Sequence, residues 1–187
     1  MKFIVMFLLL FTSVFADRDG GPYLGIGYGN AKFNDDGFYQ EVKEKKSDSI
    51  ILYAGAYINK YLSVEFNYIQ FDAFSKDNGY IFVDETAQEK RLELDIRSIS
   101  TLAHYAFLDD SLDFYARFGA GEIRNNIVSK EGFTMLYGVG MSYRLGKMFS
   151  LKIAYDLYEF ELDKDDDNSG DYEMKLDFIY TGLEIQF

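Results

Sequence analysis

Residues 176–187, LDFIYTGLEIQF, constrain the fold more than any other stretch. Counting back in steps of two places Phe187, Ile185, Leu183, Thr181 and Ile179 on one face, with Gln186, Glu184 and Gly182 on the other. A period of two with one greasy face marks a strand. A carboxylate and an amide on the second face suit a side that is polar or wet. What surrounds the strand then depends on how many others share its pattern.

Seven earlier stretches repeat it. Residues 22–31 (PYLGIGYGNA) set Leu24, Ile26 and Tyr28 against Tyr23, Gly25, Gly27 and Gly29; alternate glycines relieve crowding inside a narrow barrel. A phosphate-binding loop would also be rich in glycine, but the helix it requires is absent from this pattern. A second strand is expected over 49–57. A third covers 62–71, with Leu62, Val64, Phe66 and Tyr68 opposite Ser63, Glu65 and Asn67. The fourth ends near Phe107 and is expected to bulge or change face near Arg97, because Leu92, Leu94 and Ile96 have one phase and Ile99, Ala103, Tyr105 and Phe107 the other. The fifth, 112–121, puts Leu112, Phe114, Ala116 and Phe118 opposite Asp113, Tyr115, Arg117 and Gly119. In the sixth, Phe133 to Tyr143 alternate with Thr134, Gly138, Gly140 and Ser142. In the seventh, Leu151, Ile153, Tyr155 and Leu157 alternate with Lys152, Ala154 and Asp156.

Short turns at 58–61, 108–111 and 145–148 alternate with longer polar connections at 32–48, 72–90, 122–131 and 163–171. Bacterial membrane barrels have this asymmetry, and their lipid-facing and lumen-facing residues alternate along each strand. A charge on the lipid face near the midplane would cost about 2–4 kcal/mol, and the proposed outward faces of strands three, five, six and seven carry none. The expected fold is therefore all-β: an eight-stranded antiparallel up-and-down transmembrane β-barrel over residues 17–187. Residues 1–16 read as a secretory signal peptide, with basic Met1-Lys2, an apolar run over 3–10, and small residues at Val14 and Ala16 before the cleavage point. That run is too short for a spanning helix, and no later stretch reaches 18 apolar residues. The chain has no cysteine, which excludes disulfides, and its formal net charge of −12 argues against nucleic acid as a partner. Tyr and Phe make up its aromatic content, supplying strand formers and interfacial girdles.

Three hairpins, GAYINKYLSVEFNY, LAHYAFLDDSLDFYARFGA and GMSYRLGKMFSLKIAYDLY, resemble those of the transmembrane domain of outer-membrane protein A and its small-barrel relatives. The ending Leu183, Ile185, Phe187 is similar to the C-terminal sorting signal of bacterial outer-membrane proteins. The resemblance implies a bacterial outer-membrane location, contact with outer-membrane lipid and lipopolysaccharide, insertion by the barrel-assembly machinery, and loops at the cell surface that reach host or other surface ligands. It also implies charge pairs inside the barrel. Matched by motif, the carboxylate of VEF is Glu65, the basic residue of SLKIAY is Lys152, and the strand-five arginine is Arg117. Asp156 shares the inward phase of Lys152 and completes the expected lumen charge network. The family's alternative pair of lysine and glutamate is replaced here by Leu102 and Ser142, which removes a gate that swaps partners. The peptidoglycan-binding domain of the longest members is not expected.

No catalytic residue, cofactor or metal site is expected. His104, the single histidine, would serve a lipid A deacylase only with a Ser two residues later, where Ala106 stands, and it lies near a short turn. Asp165, Asp167, Ser169 and Gly170 have calcium-loop spacing, but the twelfth position, where a bidentate Glu belongs, is Leu176. The expected function is a non-enzymatic barrel with structural and surface-interaction roles through its extracellular loops. The alternative is a narrow porin-like channel for ions or small solutes. A secreted ligand-binding barrel of lipocalin type would need polar outward faces.

Overall fold

The computed structural model describes residues 20–34, 46–72, 81–83, 86–88, 94–108, 111–125, 131–162 and 172–187. Eight strands close one barrel: β1 (Gly21–Asn34), β2 (Lys46–Asn59), β3 (Leu62–Phe71), β4 (Leu94–Phe107), β5 (Leu112–Asn125), β6 (Glu131–Leu145), β7 (Phe149–Leu162) and β8 (Tyr172–Gln186). Each is antiparallel to its neighbour in the chain, and β1 pairs with β8. Two short strands, Ile81–Val83 and Thr86–Gln88, form a separate hairpin between β3 and β4. The leader expected over 1–16 and the connection 163–171 lie outside the described residues.

Closure fixes the geometry of the wall. A row of register partners starting at Tyr57 passes through Ser63, Leu102, Arg117, Gly138, Asp156, Phe178 and Ala31, and returns to β2 at Ser47, ten residues away. That stagger tilts the strands roughly 35–45° from the barrel axis and leaves an interior that side chains fill. At the end carrying the short turns, Asn59 accepts from the Tyr61 backbone N–H at 2.8 Å. Gly146 in the β6–β7 turn has φ +83°, a conformation that a side chain would strain.

The strands are longer than the sequence pattern indicates, and they gain most of that length at the long-connection end. β1 runs to Asn34, β2 begins at Lys46, and β5 continues to Asn125 with β6 starting at Glu131, so residues expected in polar connections belong to the wall. The alternation explains why. Within the membrane band the outward residues are apolar, as with Leu24 and Ile26 on β1 or Val139 and Met141 on β6. Further along the same strands, Asn30, Lys32, Asp48, Gln70, Arg97 and Asp177 face out, while Phe33, Ile69, Phe71, Ile96, Leu176 and Phe178 are buried inside. The barrel leaves the bilayer, and beyond that level it obeys the rule of a soluble barrel, apolar within and polar without.

This corrects the expectation for strand four. β4 has neither bulge nor face change at Arg97: Leu94, Ile96, Ser98, Ser100, Leu102 and His104 all point inward, and its pairing with β3 and β5 is continuous. What changes is the solvent on each side, so the apolar residues switch faces while the backbone does not. The one register irregularity in the wall lies between Tyr57 and Asn59, at the β2–β3 turn.

The inward glycines make room for tyrosine rings lying flat on the wall. A Cβ on Gly25 would fall 2.0 Å from Tyr53 Cζ, and one on Gly140 would fall 2.3 Å from Tyr115 Cζ. Gly140→Val is expected to destabilise the barrel by about 1–3 kcal/mol through overpacking, read as a lower temperature for loss of the compact band on unheated gels. The level at which the wall changes character is testable by charge insertion. Val139→Lys, in the membrane band, should cost about 2–4 kcal/mol, and Gln70→Lys, beyond it, less than about 1 kcal/mol, measured by equilibrium urea unfolding in lipid vesicles.

Candidate functional site

The interior divides into two zones along the axis. Toward the short-turn end, the inward positions carry charge and tyrosine. Arg117 on β5 is at the centre: its Nη2 donates to Glu65 Oε1 on β3, and its Nη1 donates to Asp156 Oδ2 on β7. The same Nη1 lies 3.1 Å from the Tyr180 hydroxyl on β8. Lys152 Nζ donates to Glu65 Oε2 at 2.6 Å and stands 3.7 Å from Glu184 Oε2. Tyr23 completes the shell of Glu65, donating to Oε2 at 2.9 Å. Lys152 is also caged by aromatic faces, with its ammonium 4.2 Å from the Tyr53 ring centroid, 5.1 Å from Tyr115 and 5.8 Å from Tyr23. These rings supply the negative face that a desolvated cation favours. The two glycine-seated tyrosines, Tyr53 and Tyr115, thus form two sides of the cage.

Nearer the turns, the His104 ring spans Ser63 and Asp113. Nδ1 lies 2.7 Å from Asp113 Oδ2, and Nε2 lies 2.8 Å from Ser63 Oγ. With Nδ1–H donating to the carboxylate, Nε2 accepts from the serine hydroxyl. The connectivity is that of a hydrolytic triad. Here, however, Ser63 is fully buried, with the Tyr23 hydroxyl 3.4 Å away on its other side. The arrangement satisfies a buried imidazole that is also packed between the Tyr57 and Tyr115 rings.

Toward the long-connection end, the polar zone gives way to a layer of Ile51, Ile69, Ile96, Leu136, Tyr158, Leu176 and Phe178, each with no solvent exposure. Phe178 stacks on Tyr180 at 5.0 Å and meets the edge of Phe71 at 5.9 Å, so the apolar cap rests directly on the charged zone. Leu176, the residue at the twelfth position of the calcium-loop spacing, is part of this cap; the loop residues themselves lie outside the described set. Among the described residues, no group of three or more His, Asp or Glu side chains could hold a metal ion.

A family model described as the outer membrane protein beta-barrel domain matches residues 3–187. The chain belongs to this family of bacterial outer-membrane barrels. Solved structures agree on the fold. Neisserial surface protein A is similar with a TM-score of 0.65 at 14% identity, over 89% of this chain and 97% of that one. Ail, the attachment invasion locus protein of Yersinia pestis, matches with a TM-score of 0.55 at 15% identity, over 90% and 99%. OprG from Pseudomonas aeruginosa matches with 0.56 at 9% identity, over 93% and 99%. No curated protein matches the chain by sequence.

In this outer-membrane barrel, Glu65, Arg117, Lys152 and Asp156 converge on one cluster, and Leu102 and Ser142 both face inward beside it. Leu183 and Ile185 face outward on β8, and the Phe187 N–H donates to the Pro22 carbonyl at 3.0 Å. Sequence reasoning did not anticipate the tyrosine cage, Glu184 as a second carboxylate near Lys152, or the Ser63–His104–Asp113 cluster. Their only signal was phase: all stand at inward positions of their strands, but which of them meet across the lumen depends on the stagger.

Arg117→Ala would leave both Glu65 and Asp156 buried and short of their cation, at a cost of about 3–5 kcal/mol. Lys152→Ala should cost less, because Glu65 keeps Arg117 and Tyr23. Thermal unfolding in detergent checks the order, and equal losses would mean that Arg117 is not the hub.

Proposed function

We propose that this protein is a non-conducting, non-enzymatic outer-membrane barrel whose work is done at the cell surface, by the rim that rises beyond the bilayer and by the loops it carries. The observation that supports this reading is the apolar cap. An ion crossing the lumen would have to pass a layer of fully buried Ile, Leu, Phe and Tyr side chains, and a predominantly apolar constriction of this kind also dewets. The charge cluster below the cap then serves as structure, tying β3, β5, β7 and β8 together across the lumen.

Ail has been solved in complex with a heparin analogue, sucrose octasulfate. Polyanion recognition does not carry over easily, because the connection 163–171 of this chain holds five Asp and one Lys. Loops of that composition favour cationic partners or partners joined through divalent ions. Lipopolysaccharide is the lipid neighbour in this reading, and Leu183, Ile185 and Phe187 serve as the signal to the barrel-assembly machinery.

The narrow-channel alternative is separated by planar-bilayer recording. Purified barrel at neutral pH is expected to give no stable conductance steps. Reproducible unitary steps would overturn the non-conducting reading and return the lumen to the transport class.

A further inference from the structure

One large apolar side chain stands outward above the membrane band. Phe133 is 67% exposed. With Met135 it extends the apolar outward positions of β6 to seven in succession, from Phe133 to Leu145, and no other strand of the barrel has more than five. With the stagger of ten residues shared over eight strands, Phe133 lies level with the outward Lys32, Asp95 and Lys175. That is roughly 7 Å above Ala120 on β5 and Leu157 on β7, where the apolar positions of the neighbouring strands end. An exposed aromatic ring surrounded by charged neighbours at that height marks an interaction surface.

Because the strands lean, a line drawn down the wall from Phe133 parallel to the barrel axis leaves β6. It crosses β5 at Ala120, β4 near Thr101 and Ala103, and β3 at Val64, all of them outward. Elsewhere the same depth carries Leu24, Ile26, Met141, Leu151 and Leu183. Below the exposed ring the wall is therefore shallow and apolar, and a second convex surface can approach it closely. Small residues alone would accept lipid equally well; the flanks of the line decide between the two.

At the rim, the β4–β5 side of this line carries Arg97 and Arg124, and the β7 side carries Glu159. Arg124 is 3.0 Å from Glu122 and Glu159 is 3.2 Å from Lys175, with all four side chains 36–42% exposed, so each pair keeps a face open to a further partner. Arg124 and Glu159 lie at similar distances on either side of Phe133. A two-fold axis along the line sets the arginine side of one copy against the glutamate side of the other, twice over. Acyl chains offer no such complement, and lipid covering Phe133 would have to rise roughly 7 Å at one strand of the wall.

We propose that this face joins two copies of the chain in a symmetric dimer. The Phe133 rings of both copies pack at the two-fold axis, Ala120, Thr101 and Val64 line the close approach below them, and Arg124 of each copy pairs with Glu159 of the other. The aromatic pair is the anchor, and the charges around it exclude water and fix the register. This goes beyond the surface role argued above and is independent of which end of the barrel faces outward.

The test is crosslinking of folded barrel in lipid vesicles through single cysteines, which this cysteine-free chain allows. Thr101→Cys, close to the axis, should give a dimer with a short bismaleimide that persists as lipid is added. Thr181→Cys, at similar depth on the opposite wall, should give only the collisional background. In the Thr101→Cys background, with folding verified by heat-modifiable migration, Phe133→Ser should lower the lipid dilution that halves the dimer by at least about tenfold, as loss of a central aromatic anchor implies. Arg124→Glu should weaken the dimer, and adding Glu159→Lys should restore it. Equal crosslinking at the two cysteine positions, an unchanged dimer with Phe133→Ser, or no rescue by the charge exchange would overturn the proposal. A last readout separates the lipid occupant: in this chain without tryptophan, Phe133→Trp should escape the chain-brominated lipid that quenches Thr181→Trp. Quenching at both positions would assign the face to acyl chains and overturn the dimer.

Discussion

A strand has two faces, and in this barrel each face meets two surroundings along its length. Hydrocarbon surrounds the lower wall and water the upper, and the interior answers in the opposite sense, polar below and apolar above. The backbone alternation is unbroken through the change, as β4 shows from Leu94 to Phe107. Every other feature follows from the level at which the surroundings change. It sets where the wall turns charged and where the lumen becomes dry.

Within the polar half, one guanidinium does the work of two pairs. Arg117 holds Glu65 and Asp156 with separate nitrogens, and Lys152 shares Glu65 from inside a cage of tyrosines. Lys152 also stands 3.7 Å from Glu184, so two cations and three carboxylates form one connected group, and the inward Leu102 and Ser142 add no further charge beside it. The cluster acts as a cross-brace between strands, and a buried ionic group of this kind is weakened most by the loss of one partner.

The fold was legible because a membrane wall must display apolar residues at every second position, and the chain does so on β1, β3, β5, β6, β7 and β8. The same logic misled at β4. Ile96 and Ile99 are both apolar and of opposite parity, which reads as a bulge when one solvent is assumed and as continuity once two are allowed. The inward phase of Glu65, Arg117, Lys152 and Asp156 was likewise readable from alternation. Their mutual contacts were not, because a stagger of ten residues decides which positions on distant strands share a height, and no local pattern encodes it. For Ser63, His104 and Asp113 the difficulty is the same: three ordinary inward residues on three strands become a cluster only when the wall closes.

The seam between β1 and β8 joins residues from the two ends of the chain in twelve register pairs, from Tyr23 with Gln186 to Asn34 with Lys175. Until that last zipper is drawn, both margins of the curled ribbon present bare amide and carbonyl groups, which hydrocarbon cannot solvate and which cost several kcal/mol each when left open. A partly built wall therefore has no comfortable resting place in the lipid. Maturation has to shelter the two raw margins together and release them only as they meet, so that the final segment of the polypeptide behaves as a clasp.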